Sequence, residues 1–165
     1  MIPSLLARSW SLALLGGILL GGVPPAVALT DHMPKADAEI VAKLLPDAVL
    51  LDGGIRFVEK QKGQGLPITR GDVVTALYIG RLLDGKIFNQ KQSRNHSFTF
   101  EVGADPRQII LGWEQALRVM QNGGRYVIAI PAELAYRDYG RPGQVPPHAT
   151  VIFEMEILEV QRRKR

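Results

Sequence analysis

The side chains best placed to act on another molecule in this chain are aromatic, not nucleophilic. Tyr78, Phe88, Phe98, Trp113, Tyr136 and Phe153 stand in separate segments, each near a loop or a helix end. Taken singly, each is most simply a core residue. The groups that usually carry covalent or acid–base chemistry are poorly arranged. His32, His96 and His148 lie in unrelated segments without i, i+4 pairing, which argues against a zinc site or a histidine-centred triad. Ser93 and Ser97 flank His96 in a polar stretch, and there is no G-x-S-x-G elbow. Glu154 and Glu156 alternate on one strand and are expected to face water. The absence of cysteine removes disulfides, thiol catalysis and thiolate-bound metal. No cofactor or metal is implied. What is left is binding, or catalysis that works through conformation.

A second feature points the same way. Residues 140–150 form a Gly- and Pro-rich loop bracketed by Tyr136 and Phe153. Proline fixes φ and glycine permits positive φ, so the shape of this loop is largely set by its residue types. Loops of this kind lie at surfaces and often carry function.

These residues need a frame, and the pattern supplies one. Residues 73–82 are β-branched and aromatic, and Asp84-Gly85 is a hairpin signal leading to Ile87-Phe88. Residues 89–96 read as a polar, bulge-like stretch, and residues 98–102 alternate as a strand. Trp113, Ala116, Leu117 and Met120 fall at i, i+3, i+4 and i+7, a short amphipathic helix that Gly123-Gly124 is expected to cap. Residues 125–130 and 150–160 complete about five antiparallel strands, after an extended stretch at 50–61 broken by Gly53-Gly54. The fold class is α+β.

The chain has 165 residues, 46% hydrophobic and 22% charged, an ordinary globular composition. Its net charge of +4 is spread out, with one basic block, Arg162-Arg163-Lys164-Arg165, expected to be solvated. No basic face with interleaved aromatics suggests nucleic acid. Residues 1–28 hold one charged side chain, Arg8, then an apolar run and small residues ending Ala26-Val27-Ala28. That describes a secretory signal cleaved near Ala28, leaving no stable membrane span and an exported, periplasmic or extracellular protein. The other reading is an uncleaved anchor, since residues 9–29 approach the length of a bilayer span. Pro24-Pro25 and the glycines speak against a helix of that length. Residues 30–35 are polar and expected to be disordered. Residues 36–45 show a narrow apolar stripe, Ile40, Val41, Leu44 and Leu45, with Asp37 as N-cap and Pro46 as the stop.

Taken in order, several motifs resemble one family. They are Tyr78-Ile79-Gly80-Arg81-Leu82-x-Asp84-Gly85-Lys86-x-Phe88, Phe98-x-Phe100, and Ile109-Ile110-Leu111-Gly112-Trp113-Glu114. Ile130-Pro131-x-Glu133-Leu134-Ala135-Tyr136 and Gly140-x-Pro142-Gly143-x-Val145-Pro146-Pro147-x-Ala149-Thr150-x-Ile152-Phe153 follow. Together they resemble the FKBP family of peptidyl-prolyl cis–trans isomerases over roughly residues 54–160. The resemblance implies a half-wrapped antiparallel sheet around one short helix, with an aromatic pocket for a proline ring between them. Trp113 would be its floor, Tyr78, Phe88, Phe98 and Phe153 its walls, and Ile109, Ile110 and Val145 its rim. The Ile110 N–H and the Tyr136 hydroxyl would donate to the substrate. Proline-containing polypeptides would be the substrates and macrolides candidate inhibitors. Residues 29–50 would be an N-terminal extension and residues 51–165 the isomerase domain. A binding module or chaperone that holds Pro-containing segments without turnover is the rival reading.

The chain also departs from the family pattern. Asn89 stands where the family usually has Asp, keeping a hydrogen bond but not a charge, which suggests reduced activity or weaker macrolide binding. Arg137 and Gln144 also differ, around the pocket mouth. Finally, with Tyr78 on the concave face, Val73, Leu77, Ile79, Val127 and Ala129 fall on the convex one. The helix at 36–45 is expected to cover this patch, in its own chain or in the partner of a homodimer. The alternative is a frayed tether.

Overall fold

The computed structural model describes residues 29–163. The inferred signal segment, residues 1–28, lies outside them. Helix α1 (Lys35–Leu44) is followed by β1 (Val49–Leu50), β2 (Arg56–Gln61), β3 (Val73–Leu82), β4 (Ile87–Lys91) and β5 (Phe98–Glu101). Helix α2 (Leu111–Ala116), β6 (Arg125–Ile130) and β7 (Val151–Gln161) complete the order. Among the described residues one antiparallel sheet of seven strands runs β1-β2-β6-β7-β3-β4, with β5 on the same edge of β3 as β4. The architecture is the expected α+β one. There are more than about five strands because Asp52–Gly54 turns the early extended stretch into two, and because Asn89, Gln90 and Lys91 pair with β3.

The two faces follow from strand alternation. On β3, Val74, Ala76, Tyr78 and Gly80 are buried while Thr75, Leu77 and Ile79 are half-exposed. On β7, Phe153, Met155 and Ile157 point to the core, and Glu154 and Glu156 to the other side. There they pair with Arg81 at 3.1 Å and with Arg94 and Arg125 at 3.0 and 3.2 Å. The hairpin after β3 forms as its sequence requires: Gly85 takes φ 88° and Lys86 N–H donates to Asp84 Oδ1 at 2.9 Å.

Helix α2 seats Trp113, Ala116 and Leu117 against the concave face. It runs on as a 3-10 turn, Leu117–Val119, and ends at Met120, whose backbone is extended. Gly123 and Gly124 therefore do not cap it. They form the turn into β6, where Gly123 N–H donates to Ile157 O and Gly124 N–H to Gln121 O.

Several expectations at the chain ends are corrected. Asp37 lies inside the first turn of α1, whose N-cap is Pro34, so its carboxylate meets the helix dipole and does not cap. Residues 30–33 are ordered. Thr30 Oγ1 donates to Asp52 Oδ1 at 2.6 Å, and Asp31 pairs with Arg56 at 2.8 Å. At the other end Arg162 is not simply solvated. It binds Asp72 at 3.1 Å and the carbonyls of Leu66 and Pro67 at 2.7 and 3.0 Å, and Asp72 is itself buried.

Helix α1 lies on the convex face, over only part of the anticipated patch. Val41, with Ala38 and Leu45 beside it, packs on Ala129, Ile152, Val127 and Leu83. Ile40 and Leu44 are 42% and 51% exposed, so half of the expected stripe faces outward. Val41 alone is fully buried, with half-buried Ala38 one turn before it on the same side and half-buried Leu45 at the C-cap. Leu77 and Ile79 remain uncovered and line a shallow groove with Lys60, Lys91 and Arg125. The stems of such charged side chains cover apolar surface while their heads stay in water. Val41→Ala should cost about 2 kcal/mol in chemical denaturation. Leu44→Gln should change stability by no more than about 0.5 kcal/mol.

Candidate active site

The concave face, α2 and the loops beside them enclose a cavity of about 570 Å³, the size of a small-ligand site. Each wall comes from a different element. Tyr78 projects inward from β3, Phe153 from β7, Phe98 from the start of β5, and Trp113 rises from α2. Trp113 meets Phe153 at 5.0 Å between ring centroids and Tyr78 at 5.1 Å, with interplanar angles of 84° and 81°. These are edge-to-face contacts, the arrangement that the ring quadrupoles favour. Phe98 stands 6.0 Å from Tyr78, closing the third side.

Eight of the ten site residues expected from sequence line this cavity: the four just named with Asn89, Ile109, Ile110 and Tyr136. Phe88 stands behind the wall, with its ring 5.8 Å from Tyr136 and 5.6 Å from Phe153, both nearly perpendicular. Val145 does not reach the cavity. Arg141 and Val145 bridge each other through two backbone hydrogen bonds of 2.8 Å, which turns the Val145 side chain into the core at 3% exposure. The exposed tip of the flap is Pro142-Gly143-Gln144.

Gly80 holds a position that sequence reasoning quoted but gave no role. A Cβ there would lie 2.8 Å from Phe153 Cε1 and 2.8 Å from Phe88 Cζ, so both rings lean over bare backbone. The sequence signal was a glycine in the middle of an otherwise β-branched strand, which marks a close approach.

The hydrogen-bonding groups are few. Ile110 is the N-cap of α2, and its carbonyl accepts from the Trp113 and Glu114 N–H groups at 3.1 and 3.3 Å. Its own N–H has no acceptor among the described residues. Burial raises the Tyr136 hydroxyl above the ordinary tyrosine value of 10.0, against the nearby charge of Arg141. Tyr78 is raised for the same first reason, with Arg141 again opposing. Both hydroxyls therefore stay protonated and able to donate. Asn89 forms no hydrogen bond with either tyrosine; the polar group beside them is the Arg141 guanidinium. Arg137 and Tyr139 line the cavity near its mouth, where the departures from the family pattern fall, whereas Arg107 and Arg141, which also line it, carried no role in the sequence. No periodic signal marked them, since residues 135–139 form a turn with Arg137 at φ 55°.

The comparisons agree with this geometry. The family described as FKBP-type peptidyl-prolyl cis-trans isomerase matches residues 66–158. This chain belongs to that family. An FK506-binding protein of Neisseria meningitidis is 36% identical over 108 residues, 66% of this chain and 97% of that protein. The outer membrane protein MIP of Legionella longbeachae is 32% identical over 80% of this chain, which spans 55% of that protein's length. The crystal structure of a peptidyl-prolyl cis-trans isomerase from Pseudomonas syringae superposes with a TM-score of 0.67 at 30% identity, covering 78% of this chain and 92% of that one. FKBP-type isomerases act on proline-containing polypeptides.

Two outcomes follow. Gly80→Ala should cost about 1–3 kcal/mol in stability by displacing Phe88 and Phe153, and should lower kcat/KM in a peptide isomerisation assay. Because burial lifts both tyrosine hydroxyls, any alkaline loss of activity that comes from their ionisation should set in at higher pH than for an ordinary tyrosine, read from a pH profile of kcat/KM.

Proposed function

We propose that this isomerase acts on exported polypeptides whose folding waits on X-Pro bonds, and that the cavity around Trp113 is where it does so. Rotation about an X-Pro bond crosses a barrier of about 18–20 kcal/mol because it breaks amide resonance. Uncatalysed exchange takes tens of seconds or longer and can limit folding. A planar amide is strongly dipolar and a twisted one less so. A dry pocket walled by Tyr78, Phe98, Trp113 and Phe153 therefore disfavours the ground state more than the twisted state. That difference lowers the barrier, since only interactions stronger in the transition state speed the reaction.

The Ile110 N–H would hold a substrate carbonyl and the Tyr136 hydroxyl a second acceptor, fixing the chain while the bond turns. No proton or covalent bond needs to move. The single observation that carries the reading is the free Ile110 N–H at the rim of a cavity floored by Trp113.

The exported location rests on the apolar run and small residues of the first 28 positions, and one relative is named an outer membrane protein. No helix among the described residues is long and apolar enough to cross a membrane. A homodimer, if this chain forms one, would have the outward Ile40 and Leu44 of α1 available.

The rival, holding without turnover, is separated by a proline-limited refolding assay. Wild type should accelerate the slow phase. Phe88→Ala should reduce kcat/KM about tenfold or more while circular dichroism stays native, and Trp113→Leu should do the same with a measurable loss of stability in chemical denaturation. Binding of Pro-containing peptides with no acceleration by wild type would establish the holding function instead.

A further inference from the structure

The mouth of the cavity carries a charge pattern that its aromatic walls do not explain. Arg107 stands on the loop leading to α2, and Arg137 and Arg141 stand on the flap, so cations flank the opening on two sides. Their compensation is thin. Arg107 lies 3.5 Å from Glu114, but Arg137 and Arg141 have no carboxylate partner among the described residues. Arg137 donates from Nε to the Glu133 backbone carbonyl at 3.4 Å, which satisfies a donor and leaves the charge. Among the described residues Glu133 is the one carboxylate lining the cavity. Asp138, next in sequence to Arg137, is exposed and does not line it.

Within the cavity the balance is shifted the same way. Position 89 is an amide and not a carboxylate, so nothing on β4 offsets Arg141. Elsewhere, apart from the exposed Arg70 and Arg118, the described arginines are paired. Arg56, Arg81, Arg94, Arg125, Arg162 and Arg163 each reach an aspartate or glutamate within 3.2 Å. Arg141 is also half-buried, and a cation partly removed from water interacts more strongly with an incoming charge than one on an open surface.

We propose that Arg141, with Arg137 and Arg107, makes this pocket select proline segments with an acidic residue immediately before or after the proline. The inference rests on the proline-binding reading above and adds to it a substrate class. Arg141 and Arg137 act as specificity-determining residues. The tyrosine hydroxyls and the Ile110 N–H fix the backbone, and the arginines meet a flanking carboxylate. A net charge of +4 on the whole chain adds long-range attraction for acidic segments.

The experiment uses short peptides with Glu, Gln or Lys immediately before proline, and a matched series with the same residues immediately after it. Isomerisation is followed by exchange NMR, and binding of the same peptides by titration. At low salt Glu should exceed Gln by about three- to fivefold in at least one series, and Lys should be weakest. The ratio should approach one near 1 M salt, where the screening length is about 3 Å. Arg141→Gln and Arg137→Gln should each lower the Glu-to-Gln ratio, and the double variant should abolish it.

Equal values for Glu and Gln in both series, or a ratio that the arginine variants leave unchanged, would overturn the proposal while leaving the isomerase reading intact. Failure to isomerise any peptide would instead count against the isomerase reading. In that case the binding titrations still decide the charge preference, a Glu excess supporting it and equal affinities ending it.

Discussion

The contact on which most of this molecule depends is the perpendicular packing of Trp113 against Phe153 and Tyr78. Helix α2 has six residues, far too few to persist alone, because helix nucleation is costly and short helices are marginal in water. It exists because Trp113, Ala116, Leu117 and Met120 are buried on the sheet. The rings that bolt it there are the same rings that line the cavity. Edge-to-face pairs contribute about 0.5–1.5 kcal/mol each beyond the area they bury. The floor of the site is thus part of the core, which keeps it rigid. A pocket that works by favouring one amide geometry over another needs walls that do not relax around the wrong one.

The β3–β7 ladder sets where those rings point. Tyr78 pairs with Met155 and Gly80 with Phe153 in continuous register, and the bulge between Thr75 and Ala76 lies below them. Since side chains alternate between faces, a one-residue slip would exchange Phe153 for Glu154 in the cavity. The ion pairs of Glu154 with Arg81 and of Glu156 with Arg94 and Arg125 oppose such a slip from the convex side. Helix α1 and residues 30–33 are fastened to that side too, through Val41 on Ala129 and Asp31 on Arg56. The arrangement leaves the cavity mouth clear.

What was legible in the sequence had a local cause. The Asp84-Gly85 turn and the alternation of β3 and β7 follow from residue type and spacing, and the ordered motifs, through the family they resemble, pointed to eight residues that line the cavity. What was not legible depended on partners distant in sequence. Residues 30–33 look like a disordered polar stretch until Asp52 and Arg56 arrive to bind them. Arg162 looks like part of a solvated tail until Asp72 is found buried beneath it. Val145 looks like a rim residue, but its backbone bridge to Arg141 turns it inward. The side of α1 that faces the sheet was misjudged because Ile40, Val41, Leu44 and Leu45 fit a stripe as well as Ala38, Val41 and Leu45 do. Only the shape of the surface beneath chooses between them.

Asn89 takes on a different meaning once the cavity is seen whole. A carboxylate at that position would compensate a neighbouring cation, but bond rotation transfers no proton and builds no charge for a carboxylate to stabilise. The hydroxyls of Tyr78 and Tyr136 are held neutral by burial, and the walls remain aromatic, whichever residue stands at 89. Loss of the acid should therefore bear less on rotation itself than on which chains and ligands the pocket accepts. Arg141 lies beside both tyrosines with nothing anionic on β4 to balance it. On the reading proposed above, turning the amide and choosing its neighbours fall to separate groups. The first is written in rings held by the core, and the second in the charges left unpaired at the mouth.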